Sequence, residues 1–384
     1  MRALRGSNVL QNEYYTWLKH DKHSGAFTVL LKPDARRMAS LLNLGDPSRE
    51  PLCLQCHATY VPDAELRGEK FDIEDGVSCE SCHGAAGRWL ESHAVAGATH
   101  AENRARGLTD TVSLTSRAAL CLSCHYGDGD KRVTHDLYGA GHPRLSFELD
   151  TFGVMEPKHW VIDDDYLKRK GPYVPVAAWI IGQQALAEGI VRTLSSPELS
   201  RNGMFPELSV FDCYSCHHSL SEEQWKRRTY GGKPGRLAVN IAPLLMIREA
   251  LVALNQPDAP EFAALVSTLH DSYQSDGAPQ ALARLQALLA GSVGDFARRM
   301  PGDEAASLAI MRQLASFGAQ AEALKYEAAE QIGMGIQAAM ATSPRLSAKF
   351  KAPLDRLFVT LESARSFSPA KFKEAASQLA LKLS

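Results

Sequence analysis

Eight cysteines decide what this chain can become. They form four pairs of the pattern Cys-x-x-Cys: Cys53/Cys56, Cys79/Cys82, Cys121/Cys124 and Cys213/Cys216. A histidine follows every pair: His57, His83, His125 and His217. No cysteine is left over for a disulfide or a reactive thiol. Composition alone predicts about 0.006 such runs in a random chain of this make-up, so four of them are not accidental.

The pattern reads as covalent haem attachment. Two thiols three residues apart reach the two vinyl groups of one porphyrin. The next residue then sets an imidazole on the iron, which needs an axial nitrogen. Structural zinc also takes Cys-x-x-Cys pairs, but it does not require a histidine directly after each one. A thioredoxin-like motif occurs once, near a βαβ pattern. The expected cofactors are four covalently bound haem c groups, with His57, His83, His125 and His217 as proximal ligands.

All the cysteines and twelve of the thirteen histidines lie before residue 235. That stretch is rich in Gly, Pro and charge, as at Gly84-Ala85-Ala86-Gly87 and Gly127-Asp128-Gly129-Asp130. Buried porphyrins would supply its missing apolar volume, so the haem-free form is expected not to fold. Gly127 to Lys131 lacks the glutamate and spacing of a calcium loop and reads as a solvated turn.

From Arg236 the chain turns rich in Ala, Leu, Gln and Glu, with Leu282, Leu285 and Leu289 at helical spacing. Breaks at Gln256-Pro257-Asp258, Asp276-Gly277, Pro301-Gly302 and Ser343-Pro344 divide it into about six helices. Ser368-Pro369 reads as the start of the last one, with Ser as N-cap and Pro at the first helical position. The expected fold class is mainly α. A haem-packed, loop-rich multihaem cytochrome c domain covers 1–235, and an α-helical bundle domain follows over 236–384.

The net charge of -2 gives no basic footprint for nucleic acid. Val176 to Leu194 is the most apolar run, but Gln183, Gln184, Glu188 and Arg192 interrupt it. It reads as a buried amphipathic helix, and no transmembrane segment is expected. Met1-Arg2-Ala3-Leu4-Arg5-Gly6 lacks the apolar stretch of a signal peptide. Haem attachment takes place outside the cytoplasm, so the expectation is a mature or trimmed form of a periplasmic or otherwise exported protein.

Nine histidines remain as second axial ligands. An iron held by two histidines carries electrons, and one with an open position can bind a small molecule. His20 and His23, three apart, read as neighbours on one face of a helix. His93, His135, His142 and His159 are further candidates, and Pro143 restricts the backbone at His142. His218 would point about 100° from His217 on a helix and so could serve only a different haem. His100 and His270 are expected to hold no metal, with His270 on a partly exposed helix face.

Gly76-Val77-Ser78-Cys79-Glu80-Ser81-Cys82-His83-Gly84, with His93 following, resembles the cytochrome c-554 family, which includes a tetrahaem electron acceptor of hydroxylamine oxidoreductase. Trp17 to Leu30, with His23-Ser24-Gly25-Ala26, is similar to that family's helix carrying a distal histidine. The resemblance spans roughly residues 10 to 145. It implies that His23 ligates the haem at His125, and that the haem at His57 is five-coordinate. It matches His93 to a histidine that caps a haem attached near the family's N-terminus. That attachment motif is absent here, where the chain reads Ser7-Asn8-Val9-Leu10. The additional motif at Cys213 would then supply the haem that His93 caps. Ala140-Gly141-His142-Pro143-Arg144-Leu145 is also similar to a segment of related multihaem cytochromes, and His142 is expected to cap the haem at His83.

The expected function is electron relay between redox partner proteins through closely packed haems. The alternative is an enzyme whose open haem acts on nitric oxide, nitrite or hydroxylamine, and whether the chain has a substrate of its own stays open. Tyr60 and Asp163-Asp164-Asp165 are the acid–base groups such an enzyme could use. The C-terminal bundle carries no visible chemistry and is expected to pack or dock, with homo-oligomerisation as one use.

Overall fold

The computed structural model describes residues 11–95, 97–129, 131–218, 237–273 and 277–384. Ser7 to Leu10, Asp130, the 235/236 boundary and Asp276 lie outside them. The chain is mainly α, with nineteen α-helices among the described residues. The strands among those residues form one short hairpin, Arg201–Asn202 with Phe205–Pro206, in which Arg201 pairs with Pro206 and Asn202 with Phe205. Its contacts divide the chain into two compact units. One comprises residues 1–147 and 153–173, the other residues 148–152 and 174–384. The fourth attachment motif, at Cys213, therefore groups with the C-terminal helices.

The first unit is built from short helices and 3-10 turns. Its large buried apolar side chains are Trp17, Phe27, Leu30, Leu54, Trp89, Leu122 and Phe147. Phe27, Leu30, Leu54 and Ala58 form a small cluster, with Cys53, Tyr60 and Ile73 against it. Tyr60 is thus part of that apolar packing. The acidic run is local scaffolding too. The Asp163 carboxylate accepts the Tyr166 N–H at the start of helix Asp164–Lys170, and Asp165 pairs with Arg169 one turn on.

The second unit is a helical assembly around Pro175–Ser195. That helix packs on Ala242–Ala253, Ala278–Ala290, Ser292–Arg298 and Tyr326–Ala341. It is buried on nearly every side, so it is a hub and not the one-sided helix expected from its sequence. The amide nitrogens of its two buried glutamines find acceptors on neighbouring helices. Gln183 Nε2 donates to Gln331 Oε1 at 2.6 Å, and Gln184 Nε2 donates to the Leu289 carbonyl at 3.2 Å. Among the described residues no single helix is long and apolar enough to cross a membrane. Gly335 lets Tyr326–Ala341 approach the hub closely, since a Cβ there would lie 2.7 Å from the Trp179 ring. Full burial of Trp179, Phe262 and Phe372 contributes about 1.5–3 kcal/mol each.

Eight helices, from Ala242–Ala253 to Pro369–Leu383, follow residue 237 among the described residues, against six expected. Gly291 and the turn at 321–325 make the additional breaks. Ser368 caps the last helix with Pro369 in its first turn, and its hydroxyl accepts the Lys371 N–H.

Candidate haem-binding site

Three attachment motifs of the first unit sit on short helical segments, which bring both cysteines and the histidine to one side. Pro51–His57 carries Cys53, Cys56 and His57, and Cys79–His83 carries Cys79, Cys82 and His83. The third begins in Leu114–Leu122 and continues through a π turn, Ser123–Gly127, that carries Cys124 and His125. A web of hydrogen bonds ties the first two motifs to the His23 turn. The Thr59 N–H donates to the Gly76 carbonyl at 2.7 Å, and Thr59 Oγ1 lies 2.8 Å from Ser78 Oγ and 2.7 Å from Ser81 Oγ. The Val77 N–H donates to the His23 carbonyl at 3.1 Å, and the Trp17 indole donates to the Val77 carbonyl at 3.1 Å. Gly76 has φ +71, and a Cβ there would lie 2.8 Å from the His23 carbonyl oxygen. Only glycine accommodates both conditions.

Asp21 interrupts the helix expected through His20 and His23. Its backbone is extended, and its carboxylate accepts the His23 N–H, opening a separate 3-10 turn Lys22–Gly25. His20 is left exposed at the end of Glu13–His20. His23 is swung round to His125.

Three pairs of imidazoles face one another. The ring centres of His23 and His125 are 6.2 Å apart with planes at 86°. His57 and His142 are 6.4 Å apart at 77°, and His83 and His159 are 6.0 Å apart at 85°. A ring nitrogen lies about 1.1 Å from its ring centre and metal–nitrogen bonds run about 2.0–2.1 Å, so two imidazoles on opposite sides of one ion have centres roughly 6.3 Å apart. All three pairs match that spacing, so the residues fit an iron between them. Among the described residues no group of three or more His, Cys, Asp or Glu is arranged to hold a bare metal ion. The indole N–H groups of Trp89 and Trp160 are buried without a protein acceptor. Haem propionates are the kind of acceptor that would satisfy them.

The pairing differs from expectation at two motifs. His142, expected opposite His83, faces His57, and His159 faces His83. His57, expected at an open iron, therefore has an imidazole across from it. The cause is the turn at Gly141, whose φ of +118 ends helix His135–Ala140, while the His142 N–H donates to the Leu137 carbonyl at 3.0 Å. Pro143 then holds the backbone, and His142 Nδ1 lies 2.8 Å from the Pro143 carbonyl. His57 Nδ1 lies 3.0 Å from the Ala26 carbonyl, which leaves its other ring nitrogen for a metal. Burial holds His83, His125 and His142 below the ordinary imidazole value. Each is thereby kept neutral, the form that ligates metal. Burial also pushes the Cys82 thiol up to about 12 and Cys121 to about 11. Neither is a ready thiolate.

Other candidates stand elsewhere. His93 is exposed beside the Trp89 ring and its Nδ1 contacts the Leu90 carbonyl. It belongs to the first unit, whereas the Cys213 motif belongs to the second. His135 is the first residue of His135–Ala140. His100 is 3.2 Å from Asp110, which also pairs with Arg104. His270 is 2 % exposed inside Ala259–Ser272, so it is buried and not partly exposed as expected. Its place on one face with Phe262 and Val266, four residues apart, was a readable signal.

In the second unit, Cys213–Ser215 forms a 3-10 turn with Cys213, Cys216 and His217 exposed. Tyr214 anchors the turn: it is buried, its hydroxyl donates to the Phe367 carbonyl at 3.3 Å, and Lys325 Nζ lies 5.3 Å from its ring centre. His218 lies 6.1 Å from the Tyr214 ring. Burial and the neighbouring Glu327 carboxyl push Asp212 well above the usual carboxylate range.

No curated protein and no solved structure is matched by the chain. Residues 10–84 match the family model described as cytochrome c554 and c-prime. The matched stretch holds Trp17, His23, Thr59, Gly76 and the motifs at Cys53 and Cys79, the same residues that the hydrogen-bond web ties together. The similarity to that family is confined to this stretch.

Proposed function

We propose that the chain is a tetrahaem c-type cytochrome, exported, that relays electrons between redox partner proteins. One observation carries the reading: three imidazole pairs at the spacing that two ligands on one iron require. Cys53 and Cys56 with His57 and His142 would hold one haem. Cys79 and Cys82 with His83 and His159 would hold a second, and Cys121 and Cys124 with His125 and His23 a third. Cys213, Cys216 and His217 would hold the fourth. Bound haem c supplies a one-electron iron couple.

The first three motifs adjoin one another. The Cys56 and Cys124 thiols are hydrogen-bonded to each other, Cys82 and Cys121 lie close enough to feel one another's charge, and Thr59 beside His57 bonds Ser78 and Ser81 at the Cys79 motif. Adjoining attachment sites favour relay over isolated chemistry.

The enzymatic alternative loses its expected location, because His142 already faces His57. Spectra of the oxidised holoprotein test the reading. Low-spin signals are expected from three or more haems. His142→Ala is expected to turn one of them high-spin and open it to cyanide. A high-spin haem already present in the parent protein, and unaltered by His142→Ala while the low-spin count stays the same, would sink the assignment.

A further inference from the structure

The pairs of His57 and of His23 differ in what stands behind the ligand. His57 and His142 both direct Nδ1 at neutral backbone carbonyls, of Ala26 at 3.0 Å and Pro143 at 2.8 Å. His23 directs Nδ1 at a carboxylate, Asp21 Oδ1, at 2.9 Å. The same oxygen accepts the His23 backbone N–H at 2.9 Å, so Asp21 fixes both the turn and the ring. The Asp21 side chain is only 10 % exposed. The His23 side chain is 41 % exposed, so the carboxylate end of the contact is the sheltered one.

An imidazole whose Nδ1–H is held by a carboxylate presents its Nε2 lone pair outward and donates more strongly through it. Stronger donation, together with a fixed negative charge nearby, favours iron(III) over iron(II). The proton stays on Nδ1 in both oxidation states, and the couple remains a simple one-electron exchange.

We propose that Asp21 acts through His23 as a positioning and tuning residue that makes the haem between His23 and His125 harder to reduce than the haem between His57 and His142. The proposal rests on the two-histidine reading given above.

Potentiometric titration of the holoprotein, followed by optical and electron paramagnetic resonance spectra, tests it. His23→Met identifies the component that belongs to this haem, because its low-spin signal changes. Asp21→Asn keeps an oxygen acceptor of the same shape and removes the charge. It is expected to raise the potential of that one component by about tenfold in the redox equilibrium, which is about 59 mV for one electron. Glu156, whose charge also reaches His23, serves as a control for charge alone, and Glu156→Gln is expected to shift the same component less. If His23→Met alters a component but Asp21→Asn leaves its potential in place, the role of Asp21 is overturned and the ligand pair stands. Equal shifts from Asp21→Asn and Glu156→Gln also overturn it. If His23→Met changes no component, the ligand pair itself fails.

Discussion

The two units solve the problem of a core in opposite ways. Residues 174–384 bury apolar side chains from every α-helix but the four-residue Pro197–Ser200, with Trp179, Phe262, Leu285 and Phe372 fully enclosed. Residues 11–147 bury seven large apolar side chains, scattered in small clusters, and spend their sequence on motifs, turns and facing histidines. Hydrophobic burial scales with area removed from water, so a chain that buries little must obtain its stability elsewhere. On the function proposed above, the source in the first unit is the porphyrins that its cysteines would anchor. The second unit needs none to close its core.

The largest effect expected follows directly. Replacing all eight cysteines with alanine is expected to abolish amide protection over residues 11–147 and to preserve it over the helices between Ala242 and Leu383. Hydrogen exchange on the full chain reads both at once. Protection of the first region without haem would break the comparison, as would loss of the second. A smaller change probes the other side. Phe372 is fully buried against Gly318. Phe372→Ala is expected to cost about 3–5 kcal/mol of stability in the second unit. The haem spectra of the first unit's pairs are expected to stay unchanged. A spectrum that moves with Phe372 would show that the units are not energetically separate.

The same contrast explains what the sequence made legible. The Cys-x-x-Cys-His runs are contiguous, so Cys53 to His57 and its three counterparts are visible as motifs without any fold. Helical spacing at Leu282, Leu285 and Leu289 likewise marks a bundle, because the period is local. Axial partners are a tertiary property. His142 reaches its place through the left-handed turn at Gly141, and the proline after it predicted rigidity but not direction. His159 stands in an irregular segment and carries no signal beyond its neighbour Trp160. Asp21 was readable in principle, since an aspartate two residues before a backbone N–H favours a local turn. The helical spacing of His20 and His23 concealed it. The division near 174 was hidden for a different reason. The cysteines invite a boundary after the last motif, whereas the contacts group Cys213 with the helices that hold Tyr214 in place.

The smallest expected effect concerns a carboxyl that the second unit buries. Glu148 is fully enclosed and accepts the N–H groups of Asp150 and Thr151, each at 2.8 Å, and the Thr151 hydroxyl at 2.7 Å. Burial pushes its carboxyl up to about 7 from an ordinary 4.5, against the pull of those donors. The folded state therefore holds the proton more tightly than the unfolded chain does. Stability from this group is fully present below about pH 4.5, falls as pH rises from there to about 7, and is flat beyond. The total is on the order of 3 kcal/mol. Glu148→Gln is neutral at every pH and keeps an oxygen for the helix start, so its denaturant midpoint is expected to fall less than the parent's between pH 5 and 7.5. An equal fall in both proteins would mean that Glu148 is ionised in the fold. The helix Leu149–Met155 would then begin on a buried charge stabilised by its own N–H groups.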